Sequence, residues 1–451
     1  MISMRLSEAA SHLNGKLSGM DMQFTGCSID SRSLQEGNLF IAIRGARVDG
    51  HDYVKSAKVS GACAAMVEQD DDRDVLPLLI IKDSKQAMAR LAGYWRNSFN
   101  IPLLAVTGSN GKTTVKEMLS SILGLNSTVL SNKGNLNNDI GVPLTLFGLG
   151  SEHQYAVIEM GANHPGEISW LTKLARPTVA LITQCAPAHL QGFGSVDGVA
   201  KAKAEIYSGL IDNGTAVINA DDEYAEFWRG AAARYNQLSF GMKNKADISA
   251  RDVHFNIETG MTGFSLHTPA GFESVNMSLA GRHNVLNSLA AAACCIAIGL
   301  PLDDIKRGLE NMSAVHGRMQ MLYTKAGARI FDDTYNANPA SLNAGLGVLS
   351  SYPGKRWLIL GDMGELGDYS EDLHRHAGEA AREHGIERIY ALGDFSRYTV
   401  EGFGSGARHF HEVDKLLESV KSDLVPDVTL LVKGSRFMAM DRVVRSLMEE
   451  T

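Results

Sequence analysis

A glycine-rich loop within residues 104–114, LAVTGSNGKTT, carries the residue types that hold nucleotide phosphates. Gly108 and Gly111 would let backbone N–H groups converge on phosphate oxygens, because glycine tolerates the turns that such a loop needs. Lys112 would reach the β and γ phosphates, and Thr113 would bind Mg²⁺. Val106 stands where the standard G-x-x-x-x-G-K-[ST] pattern has its first glycine, so the loop is a variant. The predicted phosphate loop comprises Gly108, Ser109, Asn110, Gly111, Lys112, Thr113 and Thr114.

Polar residues after the next strand-like runs could complete this site, although a glycine-rich turn without a ligand is the simpler alternative. Glu159 ends the run YAVIE, and ligands of open parallel sheets gather at the carboxyl ends of strands. A carboxylate there could bind a nucleotide-bound Mg²⁺. His189 follows TVALIT, but an isolated loop histidine is more commonly a surface or capping residue. Lys201 and Lys203 are two residues apart in a helical run, and by position alone both are solvated.

Three segments in the last third of the chain are also candidates. Asp332 and Asp333 follow a strand-like run and could accept hydrogen bonds from a ribose, although the Asn-Pro that follows also makes turns. Lys433, Ser435 and Arg436 lie between a strand and a helix, where they favour an anion such as a carboxylate. A helix start with incidental basic residues is the alternative. The segment GDMGELGDYSEDLH is typical of an active-site or hinge loop, or of a solvated loop.

The elements that must position these residues alternate between apolar strands and helices. STVL, YAVIEM, TVALIT and TAVIN, with helical runs between them, predict βαβ units and a mostly parallel sheet. The helix after the loop places Val115, Met118, Leu119 and Ile122 on one face. Period-2 alternation between about 246 and 280 predicts an antiparallel insert or sheet edge. The run HNVLNSLAAAACCIAIG predicts a buried helix. From about 314 a second alternating series predicts a Rossmann-like unit.

Length and composition narrow the class of protein. At 451 residues the chain is too long for one ordinary domain, and length predicts about three. A net charge of −8 without a basic tract argues against a nucleic-acid partner. The five cysteines form no C-x-x-C pair, so neither a disulfide framework nor a zinc site is indicated. Without an apolar signal segment or a stretch long enough to span a bilayer, we expect a soluble cytoplasmic protein.

The ordered motifs resemble those of the Mur ligases of peptidoglycan synthesis. These motifs are TGSNGKTT, EMGANHPGEI, GRHNVLNSLAAA, HGRMQ and DDTYNANP, and the resemblance covers essentially the whole chain. It implies a three-domain α/β enzyme. The domains would be a small α/β UDP-substrate domain at 1–84, a central P-loop-type, mostly parallel-sheet ATPase domain at 85–313, and a Rossmann-like C-terminal domain at 314–451 that binds an incoming dipeptide.

The implied reaction is the ATP-dependent ligation of D-alanyl-D-alanine to UDP-N-acetylmuramoyl-tripeptide through an acyl phosphate, with Mg²⁺, by a monomer. The resemblance assigns catalysis to Lys112, His189, Lys203 and Arg318. It assigns the metal to Thr113, Glu159, His189 and Lys203. It assigns the adenine side to Asn284 and Asn287, the γ-phosphate to Arg318 and the ribose to Asp333. The UDP part of the substrate would contact Ser31, Arg32, Asp49, Gly50 and His51. The dipeptide would contact Asn336, Asn338, Lys433, Ser435 and Arg436.

For Lys203 the resemblance reverses the interpretation, based on position alone, that the side chain is solvated. Lys203 aligns with a lysine that family members carry as a carbamate, the CO₂ adduct, which binds Mg²⁺. A cationic lysine would repel Mg²⁺, whereas the anionic adduct offers two oxygen ligands to a hard cation. The neutral amine must form first, so the site has to lower the lysine pKa. Lys201 keeps the solvated interpretation.

Two alternatives stay open at this point. A diamino-acid-adding ligase of the same family would carry a D-N-P-R tetrapeptide, which is absent from the sequence. A nucleotide switch or assembly ATPase would need no third α/β unit, and the N-K-x-D base-reading motif fails because position 135 is asparagine. Folylpolyglutamate synthetase shares the ATPase domain, but the N-terminal UDP-type segment argues against it.

Overall fold

The computed structural model describes residues 1–45, 47–70, 75–325 and 327–449. Its first part contains a five-stranded sheet of order β2-β7-β6-β5-β4 and a separate β1-β3 pair. Strands β4 to β7 run parallel, and β2 is antiparallel at the edge. The elements are β1 (Ser3–Arg5), α1 (Leu6–Leu13), β2 (Lys16–Ser18), β3 (Gln23–Thr25), β4 (Cys27–Ser28), β5 (Leu39–Ile41), α2 (Val54–Val59), β6 (Ala64–Val67), β7 (Leu78–Ile80) and α3 (Ser84–Asn97).

A nine-stranded sheet follows, of order β16-β15-β14-β13-β12-β11-β8-β10-β9. Strands β8 to β14 are parallel, whereas β14, β15 and β16 pair antiparallel, as the period-2 pattern predicted. The elements are β8 (Leu103–Thr107), α4 (Lys112–Leu123), β9 (Val129–Ser131), α5 (Gly141–Leu146), β10 (Tyr155–Glu159), α6 (Glu167–Ala175), β11 (Val179–Ile182), α7 (Leu190–Phe193), α8 (Val196–Ala204), β12 (Thr215–Asn219), α9 (Ala225–Ala231), β13 (Asn236–Gly241), β14 (Ile248–Asn256), β15 (Met261–Thr268), β16 (Gly271–Met277), α10 (Arg282–Ala297) and α11 (Leu302–Glu310).

The last sheet has six strands in the order β17-β18-β22-β19-β20-β21. Only β17 is antiparallel to its neighbour among the strands described there. The elements are β17 (Gln320–Tyr323), β18 (Arg329–Asp333), α12 (Pro339–Leu349), β19 (Lys355–Gly361), α13 (Ser370–Glu383), β20 (Arg388–Leu392), α14 (Ser396–Phe403), β21 (Ala407–Phe410), α15 (Val413–Asp423), β22 (Val428–Lys433) and α16 (Asp441–Glu449). The α/β class with three successive sheets confirms the predicted fold.

Strand β8 shows how the sequence pattern becomes a two-sided core. Leu103 and Ala105 join one buried cluster, while Leu104 and Val106 join another on the opposite face, because successive strand residues point to opposite sides. Full burial of each such leucine or valine contributes about 1.5–3 kcal/mol. A strand covered by helices on both faces is apolar along its whole length, which explains the continuous run before the loop.

The order in which the chain adds strands reverses at β8, and this reversal leaves a crevice at the carboxyl end of the strand. Its neighbours in the sheet are β11 on one side and β10 on the other, so the chain diverges in two directions from the end of β8. In open α/β sheets, ligands bind in the crevice at such a switch point. The glycine-rich loop lies there, between β8 and α4. None of the helices in the described ranges combines the length and the apolar character that a membrane crossing requires.

Candidate active site

A cavity of about 910 Å³ lies where the carboxyl ends of the central strands face those of the last sheet. Loops after β8, β10 and β11 line one side, and loops after β18, β19 and β22 line the other. Most of the predicted site residues line it: Ser109, Asn110, Gly111, Lys112, Thr113, Thr114, Glu159, His189, Lys203, Asn284, Asn287, Arg318, Asp333, Asn336, Asn338, Lys433, Ser435 and Arg436.

Two glycines of the loop have conformations that a side chain would disturb. Gly111 has φ +81°, and a Cβ there would lie 2.4 Å from Asn287 Oδ1. Gly108 has φ +148°, and its Cβ would come within 1.8 Å of Thr183 Oγ1. The backbone therefore passes close to β11 and α10. Gly108 itself does not line the cavity, so its part in the loop is to permit this turn.

Lys112 begins α4 and folds back over the loop, where its Nζ donates a hydrogen bond to Gly108 O at 2.7 Å. Burial lowers the pKa of Lys112, and the nearby Glu159 carboxylate opposes that shift. A lysine in a loop of converging N–H groups is the arrangement that gathers phosphate oxygens.

Thr113 is the centre of a network that crosses between the two halves of the cavity. Its Oγ1 donates to Glu159 Oε2 at 2.9 Å and accepts from Arg318 Nη2 at 2.8 Å. Asn137 Nδ2 donates to the other oxygen of Glu159 at 2.7 Å. The Arg318 guanidinium also stacks on the Tyr335 ring, 4.1 Å from its centroid. Thr113, Glu159 and Arg318 are thus held together, although 46 and 205 residues separate the bonded pairs in sequence.

These groups fit a hard divalent cation. A threonine hydroxyl and a buried carboxylate, 3% exposed, are the oxygen donors that Mg²⁺ prefers. No cluster of three or more histidine, cysteine, aspartate or glutamate side chains suited to a metal occurs in the described part of the chain. The predicted metal set differs from such a cluster because it includes a hydroxyl and a lysine.

His189 lies at the start of α7 and contacts the other side of the cavity. Its Nδ1 is 2.5 Å from Glu365 Oε2, on the loop after β19. Both residues have left-handed backbone conformations, with φ of 52° and 62°. The contact with His189 lowers the pKa of Glu365, and Lys112 adds to that shift.

The structure separates the two lysines of α8. Lys201 is exposed, whereas Lys203 is 1% exposed and its Nζ lies 5.7 Å from the Phe193 ring centroid. Burial, with a smaller contribution from the positive charge of Lys112, lowers the pKa of Lys203 to about 7. A substantial fraction of the Lys203 amine is therefore neutral near pH 7, as CO₂ addition requires.

The predicted nucleotide residues of α10 face the loop. Asn287 Nδ2 donates to Asn284 Oδ1 at 3.2 Å, and Asn284 Nδ2 donates to Ala280 O at 2.8 Å. Across the cavity, Asp333 ends β18 and its Oδ2 lies 2.5 Å from Lys433 Nζ. The charge of Asp333 is thus balanced within the protein.

The residues predicted for the dipeptide make contacts of their own. Lys433 is 2% exposed and also donates to Asn336 O at 2.9 Å. Ser435 Oγ accepts from Gly364 N at 2.8 Å. Arg436 Nη1 donates to the hydroxyl of Tyr335 at 3.0 Å. Asn336 and Arg436 are the exposed members of this group, whereas the other three are buried.

Asn338 has a structural role in addition to its predicted one. Its Oδ1 accepts from Ser341 N at 2.9 Å, which caps the start of α12. Its Nδ2 donates to Asn110 Oδ1 at 2.8 Å and so ties the phosphate loop to the last sheet.

The five N-terminal candidates lie outside the cavity. Arg32 makes a two-point ion pair with Asp30, at 2.9 and 2.8 Å. Asp49 accepts from His51 N at 3.0 Å, and its Oδ1 is 2.6 Å from His51 Nδ1. Gly50 packs against the backbone, because a Cβ there would lie 2.6 Å from Ile43 N. The fifth candidate, Ser31, likewise lies outside the cavity.

Sequence reasoning missed several lining residues, three of which make contacts described above. Asn137 lies in NKGNLNND, after β9, where a polar segment at a strand end was a usable signal. Tyr335 follows the two aspartates that end β18. Glu365 lies in the acidic glycine-rich segment, whose sequence is typical of an active-site loop and of a solvated loop alike.

Comparison with known families gives three matches along the chain. The family model described as Mur ligase family, catalytic domain, matches residues 23–95, the Mur ligase middle domain matches 106–295, and the Mur ligase, glutamate ligase domain, matches 317–436.

Individual proteins are similar over the whole length. The UDP-N-acetylmuramoyl-tripeptide–D-alanyl-D-alanine ligase of Escherichia coli (strain K12) is 44% identical over 452 residues, covering 100% of this chain and 99% of that protein. A crystal structure of MurF from Acinetobacter baumannii is similar with a TM-score of 0.94 and 35% identity, covering 100% of both chains. A MurF ligase from Thermotoga maritima in complex with ADP is similar with a TM-score of 0.84 and 28% identity, covering 94% of this chain and 97% of that one.

Proposed function

The chain belongs to the Mur ligase family, and we propose that it joins D-alanyl-D-alanine to UDP-N-acetylmuramoyl-tripeptide, with ATP converted to ADP and phosphate. One observation carries the proposal beyond the family: the full-length similarity to ligases of that name, at 44% identity. The cavity supports it, because one space joins a phosphate loop to cationic strand ends of another sheet.

The chemistry explains why ATP is needed. A free carboxylate resists attack by an amine because it is anionic and has no leaving group. In the proposed reaction the carboxylate attacks the γ-phosphoryl group, giving an acyl phosphate as ADP departs. The amine then attacks the acyl carbon, and phosphate leaves from the tetrahedral intermediate. Catalysis of this kind depends mainly on positioning and on neutralising charge.

Cationic side chains of this chain supply much of that neutralisation. Lys112 holds the β and γ phosphates, with the loop N–H groups around them. Arg318 reaches the γ-phosphoryl group, supported by its contact with Thr113 and its stacking on Tyr335. Both cations are fixed before the reaction begins, so little reorganisation is needed as charge moves.

Asn284 and Asn287 contact the adenine side, and Asp333 the ribose. Asn287 lies against Gly111, so the adenine side and the phosphate loop are adjacent, which supports this assignment. Asp333 ends a strand of the Rossmann-like sheet, where an acidic residue can accept hydrogen bonds from ribose hydroxyls. Its ion pair with Lys433 fixes the carboxylate at the carboxyl end of that strand.

Mg²⁺ would bind through Thr113, Glu159 and His189, together with Lys203 as a carbamate. When bound, the metal neutralises phosphate charge. The bare ammonium form of Lys203 does not fit beside a cation. Its burial and lowered pKa support the carbamate, since both favour the neutral amine that reacts with CO₂.

The peptide substrates enter from opposite sides in this proposal. The UDP part binds the first sheet near Ser31, Arg32, Asp49, Gly50 and His51. The dipeptide binds the last sheet near Asn336, Asn338, Lys433, Ser435 and Arg436. Since the first group lies outside the cavity, the domains 1–84, 85–313 and 314–451 must close together for reaction.

The protein is proposed to act as a monomer in the cytoplasm, where ATP and UDP-linked precursors are available.

Measurement of phosphate release tests the proposed function against the alternative functions. We expect release only when ATP, UDP-N-acetylmuramoyl-tripeptide and D-alanyl-D-alanine are all present. A nucleotide switch would hydrolyse ATP or GTP alone, and a diamino-acid-adding ligase would respond to a free diamino acid and a UDP-linked dipeptide instead. Either result would refute the proposal.

A further inference from the structure

The incoming dipeptide of the proposed reaction is a zwitterion, so its two ends need partners of opposite charge. Ser435 and Arg436 are suited to its carboxylate, but no group has been assigned to its ammonium. The described residues that line the cavity include five carboxylates: Asp139, Glu159, Glu167, Asp333 and Glu365. The partner of the dipeptide ammonium group should be one of these five carboxylates.

Four of these carboxylates are engaged by groups of the protein. Asp139 pairs with Lys85, Glu159 accepts from Thr113 and Asn137, Glu167 accepts from the backbone of Asn163, and Asp333 pairs with Lys433. Glu365 differs, because its side chain is 54% exposed and contacts His189, itself a predicted metal ligand. Binding of a metal by His189 would leave the Glu365 carboxylate available.

Glu365 also lies on a loop that contacts the residues suited to the carboxylate end. Gly364, its neighbour, donates its N–H to Ser435 Oγ at 2.8 Å, so the loops that carry Glu365 and Arg436 are in direct contact. An extended dipeptide is at most about 7 Å long, which matches residues on two touching loops. Glu365 lines the same cavity as Lys112 of the phosphate loop, where the amine must attack.

The loop holds Glu365 in a defined position. Met363 N donates to Nε2 of the fully buried His374 at 3.0 Å, and Leu366 is 1% exposed, so both flanks are anchored. Between them Glu365 has φ 62°, a left-handed backbone conformation that strains most residues other than glycine. Such strain persists only where the surroundings impose it.

We propose that Glu365 binds the ammonium group of the incoming dipeptide and thereby selects an acceptor with a free amino terminus. The inference rests on the proposed function. It assigns no covalent step to Glu365: the carboxylate orients the nitrogen toward the acyl phosphate and compensates its charge on entry. Arg436 and Glu365 would then hold the dipeptide at both ends.

The test compares D-alanyl-D-alanine with propionyl-D-alanine, which has the same skeleton but no amino group. For Glu365→Gln we expect the KM for D-alanyl-D-alanine to rise about ten- to hundredfold, the loss typical of a charged hydrogen bond. The inhibition constant of propionyl-D-alanine and the KM values for ATP and the UDP-linked substrate should stay within about twofold. Glu365→Asp, which keeps the charge, should recover part of the affinity.

Asp368→Asn is the matched control, because Asp368 is exposed on the same loop and does not line the cavity. It should leave all these constants unchanged. An unchanged KM for D-alanyl-D-alanine in Glu365→Gln, or an equal loss of affinity for both compounds, would overturn the inference while leaving the proposed function intact. Failure of the unaltered protein to ligate D-alanyl-D-alanine would instead refute the proposed function.

Discussion

Dissolved CO₂ should control the activity of this protein through Lys203. Burial lowers the pKa of this lysine from 10.5 to about 7. At pH 8 about nine tenths of such an amine is neutral, against roughly three parts in a thousand for an ordinary lysine. Only the neutral nitrogen attacks CO₂, with release of a proton. Burial therefore raises the fraction of Lys203 that can react roughly three hundredfold. From pH 8 to pH 6 that fraction should fall about tenfold.

Carbon-13 NMR with labelled bicarbonate measures this directly. We expect a carbamate signal at pH 8 that weakens at pH 6, with ligase activity falling in CO₂-depleted buffer and returning on addition of bicarbonate. Lys203→Ala should lose both the signal and most of the activity. Lys201→Ala should keep both, because Lys201 is exposed on the same helix.

Two results would refute the reasoning. One is full activity of Lys203→Ala in CO₂-depleted buffer. The other is a carbamate signal of unchanged intensity in that variant, which would place the adduct on another amine.

Other consequences follow from the cavity. Arg318→Lys keeps the charge but loses the stacking on Tyr335, so kcat should fall about tenfold or more with little change in melting temperature; an unchanged kcat would contradict this. Glu159→Gln should raise the Mg²⁺ concentration for half-maximal activity at least about tenfold, and an unchanged titration would count against a metal role. Gly111→Ala should weaken ATP binding, measured by calorimetry, about tenfold or more, because its Cβ would meet Asn287 at 2.4 Å. Small-angle scattering should show compaction when ATP and both peptide substrates are added, and constant dimensions would argue against domain closure.

Much of the fold was predictable because local pattern determines it. Period-2 alternation identified the antiparallel strands β14 to β16, and the spacing after the loop identified the buried face of α4. The glycines of the loop were recognisable since only glycine tolerates those conformations. These features depend on neighbours in sequence.

Other features depend on groups that are distant in sequence. Helical spacing shows that Lys201 and Lys203 point in different directions, but packing against Phe193 determines which one is buried. The contact of His189 with Glu365 joins loops of two different sheets, and no periodicity encodes it. The family resemblance predicted a metal-binding role for Lys203, which lines the cavity, whereas the sequence indicated only the segment that contains Glu365 and not the residue itself.

The hydrogen bond between Asn110 and Asn338 has a thermodynamic consequence. It connects the tip of the phosphate loop to the cap of α12, so the same contact belongs to the nucleotide site and to the last sheet. If docking of that sheet stabilises the loop conformation that ATP selects, ATP must in turn favour docking by an equal free energy. By linkage, the factor by which dipeptide tightens ATP binding then equals the factor by which ATP tightens dipeptide binding. Asn338→Ala should reduce both factors together.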